Sequence, residues 1–183
     1  MPLLNGQYKD LKLGEKGEKL FIKYINDNYD EKYTIKKTVR KYETYDFNIY
    51  ENDELIGFWE LKTRRVKYDT YSSIMVGYNK LKLMEKYQKK LNCRIYFLCY
   101  DKLMYWECKD VMGKQKDEWF IKKVYLSKRK ISNTNVCIKR EYLKEETDII
   151  CTKIIMSNFQ NQTAIKTMDN IDLDFLPDSE DEC

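Results

Sequence analysis

The stretch "YDFNIYENDELIGFWELKTRR", Tyr45 to Arg65, reads as two strands, 45–50 and 55–62, joined by a polar turn. The second strand is apolar as far as Trp59 and then breaks into Glu60, Leu61 and Lys62. Alternation puts Ile56, Phe58, Glu60, Lys62 and Arg64 on one face, and Leu55, Gly57, Trp59 and Leu61 on the other. Apolar residues on both faces ahead of Glu60 mark a central strand covered on both sides. The charged pair therefore falls where the strand leaves its buried stretch. A lone buried charge is costly, so a carboxylate and a lysine there need partners.

Asp46 is the candidate across the ladder, because it interrupts Tyr45, Phe47 and Ile49 of the first strand. A two-residue turn at Asn52-Asp53 would pair Asp46 with Trp59 and point it away from Glu60. A three-residue loop, or a single bulge, would pair it with Glu60 on one face, and this is the expected register. Two facing acids repel unless a positive charge lies between them. A hard divalent cation, Mg²⁺ or Mn²⁺, suits oxygen ligands, retains waters and binds phosphate. The backbone carbonyl of Leu61 is a further candidate ligand. Lys62 would stand beside a metal-bound water, to orient or deprotonate it or to stabilise charge on a pentacovalent phosphate.

An aspartate followed by Glu-x-Lys at a strand end, here "YDFNIY…FWELK", resembles the PD-(D/E)xK nuclease superfamily, which includes restriction endonucleases and archaeal-type Holliday junction resolvases. Asp46, Glu60 and Lys62 match its three signature positions; Tyr45 stands where a proline often precedes the aspartate. The resemblance implies a restriction-endonuclease-like α/β (α+β) core, a central mixed sheet flanked by helices in an αβββαβ-like order. It implies an Mg²⁺-dependent deoxyribonuclease, with DNA repair or recombination as a setting and junction or branched DNA among its substrates. It also implies a glutamate on the helix before the hairpin. "LGEKGEKLFIKYI" supplies Glu15 and Glu18, and Glu18 shares a helical stripe with Gly14, Phe21 and Ile25. Glu18 is therefore expected to be a further ligand, directly or through water.

The flanking chain supports this order. Residues 11–26 and 78–91 carry apolar residues at helical spacing, and Tyr33–Val39 reads as a strand. Residues 65–76 read as an irregular connection. "CRIYFLCY" and "LMYWECK" read as strands around an Asp101-Lys102 turn, and "EWFIKKVYL" and "NVCIKREYL" as two more. Residues 145–155 read as a short helix. Glu-x-Lys recurs as Glu107-Cys108-Lys109, but Asp101 sits in the tight turn before that strand and cannot face it. "DLK" and "DEK" near the N-terminus lack an apolar strand leading into them.

Seven acids and no base lie from Asp169 onward; without them the chain holds 34 bases against 23 acids. So basic a body suits an anionic partner, usually nucleic acid. Lys62, Arg64, Arg65, Lys67, Tyr68, Tyr71, Ser72 and Ser73 form a basic, hydroxyl-rich loop suited to phosphates. Lys80, Lys82, Lys86, Lys89 and Lys90 add charge on the following helix, and "LSKRK" at 126–130 is a third candidate contact. The chain has no histidine, which excludes a histidine general base and Cys–His zinc sites. Its six cysteines, none in C-x-x-C, read as reduced thiols. No apolar run approaches the length of a membrane span. The expected organisation is one nuclease domain over residues 1–156 and a flexible acidic tail over 157–183, in an intracellular, cytoplasmic or nuclear protein with a possible homodimer. The competing readings are a non-catalytic nucleic-acid-binding protein on the same fold, and an interaction protein working through its tail.

Overall fold

The computed structural model describes residues 5–39, 45–111, 113–126 and 131–146. The tail, the "SKRK" segment 127–130 and most of the expected helix at 145–155 lie outside the described residues. The elements are α1 (Asn5–Asn28), β1 (Tyr33–Lys37), β2 (Phe47–Glu51), β3 (Glu54–Thr63), β4 (Ser73–Gly77), α2 (Tyr78–Tyr87), β5 (Asn92–Leu98), β6 (Leu103–Cys108), β7 (Trp119–Leu126), β8 (Ile131–Lys139) and β9 (Lys144–Glu145). A six-stranded sheet runs β1-β2-β3-β5-β6-β9, and a three-stranded sheet runs β4-β8-β7.

Among the described residues, only β3 and β5 pair in parallel in the large sheet. A parallel pair needs a long crossover, which β4 and α2 supply. β3 is buried on both faces over Gly57–Leu61, as expected of a central strand. On one face, Phe21, Tyr24 and Ile25 of α1 pack on Phe47, Ile49, Trp59 and Leu61. On the other, Leu81 and Met84 of α2, with Ile74, Val76, Val136 and Ile138 of the small sheet, cover Phe58, Ile95, Phe97 and Trp106. Removing one such aromatic, for example Phe21→Ala, costs about 3–5 kcal/mol.

The hairpin joins both of the turn geometries weighed from sequence. Asn52 and Asp53 form a two-residue turn with φ of 48° and 66°, so Glu51 pairs with Glu54. A bulge then shifts the register between Ile49 and Tyr50, leaving Ile56 as the extra residue. Downstream, the ladder ends with Phe47 paired to Trp59, and Asp46, just before β2, sets its N–H on the Trp59 carbonyl and its Oδ2 on the Leu61 N–H, on either side of Glu60. The bulge also corrects the face assignment ahead of Gly57. Leu55 packs with Phe58 toward α2, and Ile56 packs with Trp59 toward α1.

Three other expectations are corrected. Residues 65–76 are not wholly irregular, because Ser73–Gly77 form β4, paired along its length with β8. Glu145 lies in β9, paired with Met104, and does not open a helix. Cys93, Cys99 and Cys108 are buried free thiols, but Cys137 is disulfide-bonded, so not every cysteine is reduced. Burial pushes the Cys93 thiol up to about 11 and the Cys99 thiol to about 12, leaving both inert at neutral pH.

Candidate active site

β3 carries Glu60 to a point where the sheet is still covered on both sides, and its side chain is 0 % exposed. Unpaired, such a carboxylate would cost several kcal/mol. Two ammoniums offset that: Lys62 Nζ on Oε1, from the same strand, and Lys80 Nζ on Oε2 at 2.9 Å, from the first turn of α2. Burial raises the Glu60 pKa; the charge of Lys62 opposes this, the charge of Asp46 adds to it, and Lys80 opposes it again.

Asp46 is fixed through its backbone and its side chain. Its N–H donates to the Trp59 carbonyl at 3.1 Å, and its carbonyl accepts from the Thr38 N–H at 2.9 Å. Its Oδ2 accepts from the Leu61 N–H at 2.8 Å. The Asp46 carboxylate therefore lies against the Glu60–Leu61 peptide, on the segment that bears the buried carboxylate.

A cleft of about 470 Å³ opens over this point, lined among others by Glu18, Asp46, Leu61, Lys62, Arg64 and Arg65. Glu18 of α1 reaches it as its stripe predicts, but its Oε2 is ion-paired with Lys37 Nζ of β1. The hydrogen bond that Lys37 donates to Glu18, and the charges of Glu18, Glu15 and Asp46, raise the Lys37 pKa against the opposing effect of burial. Lys37 is thus a site residue that sequence reasoning missed; its only signal was the polar end of "YTIKK". Among the described residues, no three acidic or cysteine side chains converge closely enough to hold an ion. Glu18 therefore does not join Asp46 and Glu60 as a third direct carboxylate.

The oxygen donors at this point are the Asp46 carboxylate in the cleft, the buried Glu60 carboxylate and the backbone of Leu61, with no thiol among the cleft residues. That set fits a hard divalent cation and disfavours a soft one.

The expected nucleic-acid contacts divide in two. Arg65, Lys67 and Ser72 are exposed and Tyr71 is half-buried. Ser73 is 3 % exposed at the start of β4, too buried to reach a phosphate. Arg64 turns inward, its guanidinium donating to the Met75 carbonyl, and burial lowers its pKa. Lys80 points into the site at Glu60 and away from the exposed lysine face of α2. The loop itself is tied down by Arg140, whose side chain donates to the Asp69 carbonyl at 2.7 Å and whose N–H donates to the Ser72 carbonyl at 2.8 Å. Sequence gave no sign of that role, since Arg140 lies about 70 residues downstream.

The family model described as "Phage putative PDDEXK endonuclease" matches residues 12–114. That span runs from within α1 to just past β6 and contains Glu18, Asp46, Glu60, Lys62 and Lys80. No curated protein matches the chain. With a match over more than half its length, lying on a mixed sheet with the helix–hairpin–helix–strand order, the chain belongs to the phage PDDEXK endonuclease family.

Proposed function

We propose that this protein is a divalent-metal-dependent endonuclease that hydrolyses DNA phosphodiesters, with residues 1–156 as the nuclease domain. Asp46, Glu60 and the Leu61 carbonyl would hold Mg²⁺ or Mn²⁺, with Glu18 contributing through water. The observation that carries this reading is Glu60, a fully buried carboxylate that is ion-paired with Lys62 and feels the charge of Asp46, both of which line an open cleft. A structural ion pair has no need of a second acid at such a point, whereas a cation site does.

The bound cation would supply charge neutralisation at the phosphate and acidify water. Lys62 lies next to the carboxylate and opens to the cleft, where its ammonium can orient the attacking water or neutralise charge growing on the phosphate oxygens. The Asp46 carboxylate is held by the Leu61 N–H and so needs no reordering when substrate arrives. Arg65 lines the cleft, while Lys67, Tyr71 and Ser72 lie on the loop leading from it, and they suit the flanking phosphates.

The test is cleavage of junction, flap, nicked and linear DNA with Mg²⁺ or Mn²⁺ and with chelator. Cleavage should require the cation, and Lys62→Ala should lower the rate by about 10³-fold. Binding without cleavage would assign the chain to non-catalytic nucleic-acid binding on this fold. Cleavage that persists in Asp46→Ala would overturn the site.

A further inference from the structure

α2 brings a second ammonium to Glu60 that the Asp, Glu-x-Lys signature does not contain. Lys80 Nζ lies 2.9 Å from Glu60 Oε2, and the Lys80 side chain is 17 % exposed. Lys62 takes the other oxygen. Each oxygen of the buried carboxylate thus has its own counter-ion.

The position of Lys80 is unfavourable for its helix. Gly77 is the N-cap of α2, so Lys80 stands in the first turn, which contains no acid. The positive end of the helix dipole repels a cation there. The ion pair with Glu60 is what offsets this, and Lys80 has a long, flexible stem that can leave it.

Glu60's oxygens are also the hard donors that the proposed cation would take. Two ammoniums and a divalent cation cannot share two buried oxygens without strong like-charge repulsion. Lys62 is held in place by the strand that bears Glu60. Lys80 comes from another element and is the ammonium free to give way.

We propose that Lys80 is a displaceable counter-ion, a positioning residue that occupies the Oε2 side of Glu60 until a divalent cation competes it off. Lys80 thereby sets the cation concentration at which the site fills. This inference rests on the metal site under Proposed function.

The test is calorimetric titration of the full chain with Mn²⁺, without DNA, comparing the wild type with Lys80→Met, Lys80→Gln and Lys80→Arg. Both neutral variants should bind Mn²⁺ about tenfold more tightly, because the competing charge is gone, while Lys80→Arg should stay near the wild type. With chelator present, the neutral variants should melt below the wild type, and their gain in Tm on adding Mn²⁺ should exceed its gain. A merely structural lysine would lower the chelated Tm and leave the Mn²⁺ affinity unmoved. Unchanged or weaker Mn²⁺ binding in the folded neutral variants, with normal binding in the wild type, would overturn the inference alone. A wild type that binds no Mn²⁺ would overturn the metal site as well.

Discussion

Glu60-Leu61-Lys62 and Glu107-Cys108-Lys109 are the same pattern at the ends of two strands of one sheet, and they behave oppositely. Glu60 is fully buried, carries two lysines and feels the charge of a second acid, Asp46. The Glu107 side chain is 15 % exposed, with Lys109 at 2.8 Å, Lys144 at 3.3 Å and Arg94 at 3.9 Å. Burial pushes both carboxyls upward. At Glu60 burial prevails and the pKa is raised. At Glu107 hydrogen bonds from Lys109 and Lys144, with the charges of Lys109 and Arg94, outweigh burial and hold the carboxyl below its ordinary range. Three bases around one acid already carry excess positive charge, so they give a cation no reason to bind. Two acids against two ammoniums, one of them displaceable, leave room for one. What sets the proposed site apart from the repeated motif is the second acid and the depth of burial.

The largest effect separates the two motifs by rate. Glu60→Gln should lower DNA cleavage by about 10³-fold, whereas Glu107→Gln, an identical chemical change, should leave it essentially intact. Equal losses from the two variants would erase the distinction.

A smaller effect probes what backs each strand end. Gly17 of α1 lies so close to Thr63, next to Lys62, that a Cβ there would collide with the Thr63 side chain. The corresponding end of β6 is backed by Gln115, whose side chain donates to the Glu107 carbonyl at 2.6 Å and accepts from the Lys109 N–H at 2.7 Å. Gly17→Ala should cost about 1–3 kcal/mol by overpacking, even against a helix-propensity gain of about 1 kcal/mol. Adding Thr63→Ala should recover most of that loss in urea unfolding. A Gly17→Ala chain more stable than the wild type would mean that α1 is not seated on β3.

The finest contrast is in pH, measured with cation chelated. A raised folded pKa means that the native state holds its proton more tightly than the unfolded chain. Wild-type stability relative to Glu60→Gln should therefore be greatest at acid pH and fall as pH rises through the raised Glu60 pKa. A lowered folded pKa has the reverse sign. Stability relative to Glu107→Gln should be present above the ordinary glutamate range and be lost as pH falls through the depressed Glu107 pKa. Parallel profiles for the two pairs would show that the environments do not differ as described.

Much of the frame was legible along the chain because its signals are local. The stripe of Phe21 and Ile25, the turn at Asn52-Asp53 and the apolar run into Glu60 each depend on neighbours a few residues away. The proximity of Asp46, Glu60 and Lys62 was legible for the same reason, since a hairpin brings its own two strands together. β4 was not. "SIMVG" is five residues long, and its partner β8 lies some 60 residues on, so nothing beside it in sequence marks it as a strand.

By itself, then, the sequence determined the helix–hairpin–helix order and placed Asp46, Glu60 and Lys62 on one hairpin, because short-range periodicity and turn residues mark where strands run and reverse. Only the tertiary structure decided that Lys80 meets Glu60, that Lys37 holds Glu18, that Arg64 turns in to Met75 and that Ser73 is buried. Those are contacts between elements remote in sequence, and the partner a charged side chain takes depends on how helices and sheets pack, which no local pattern encodes.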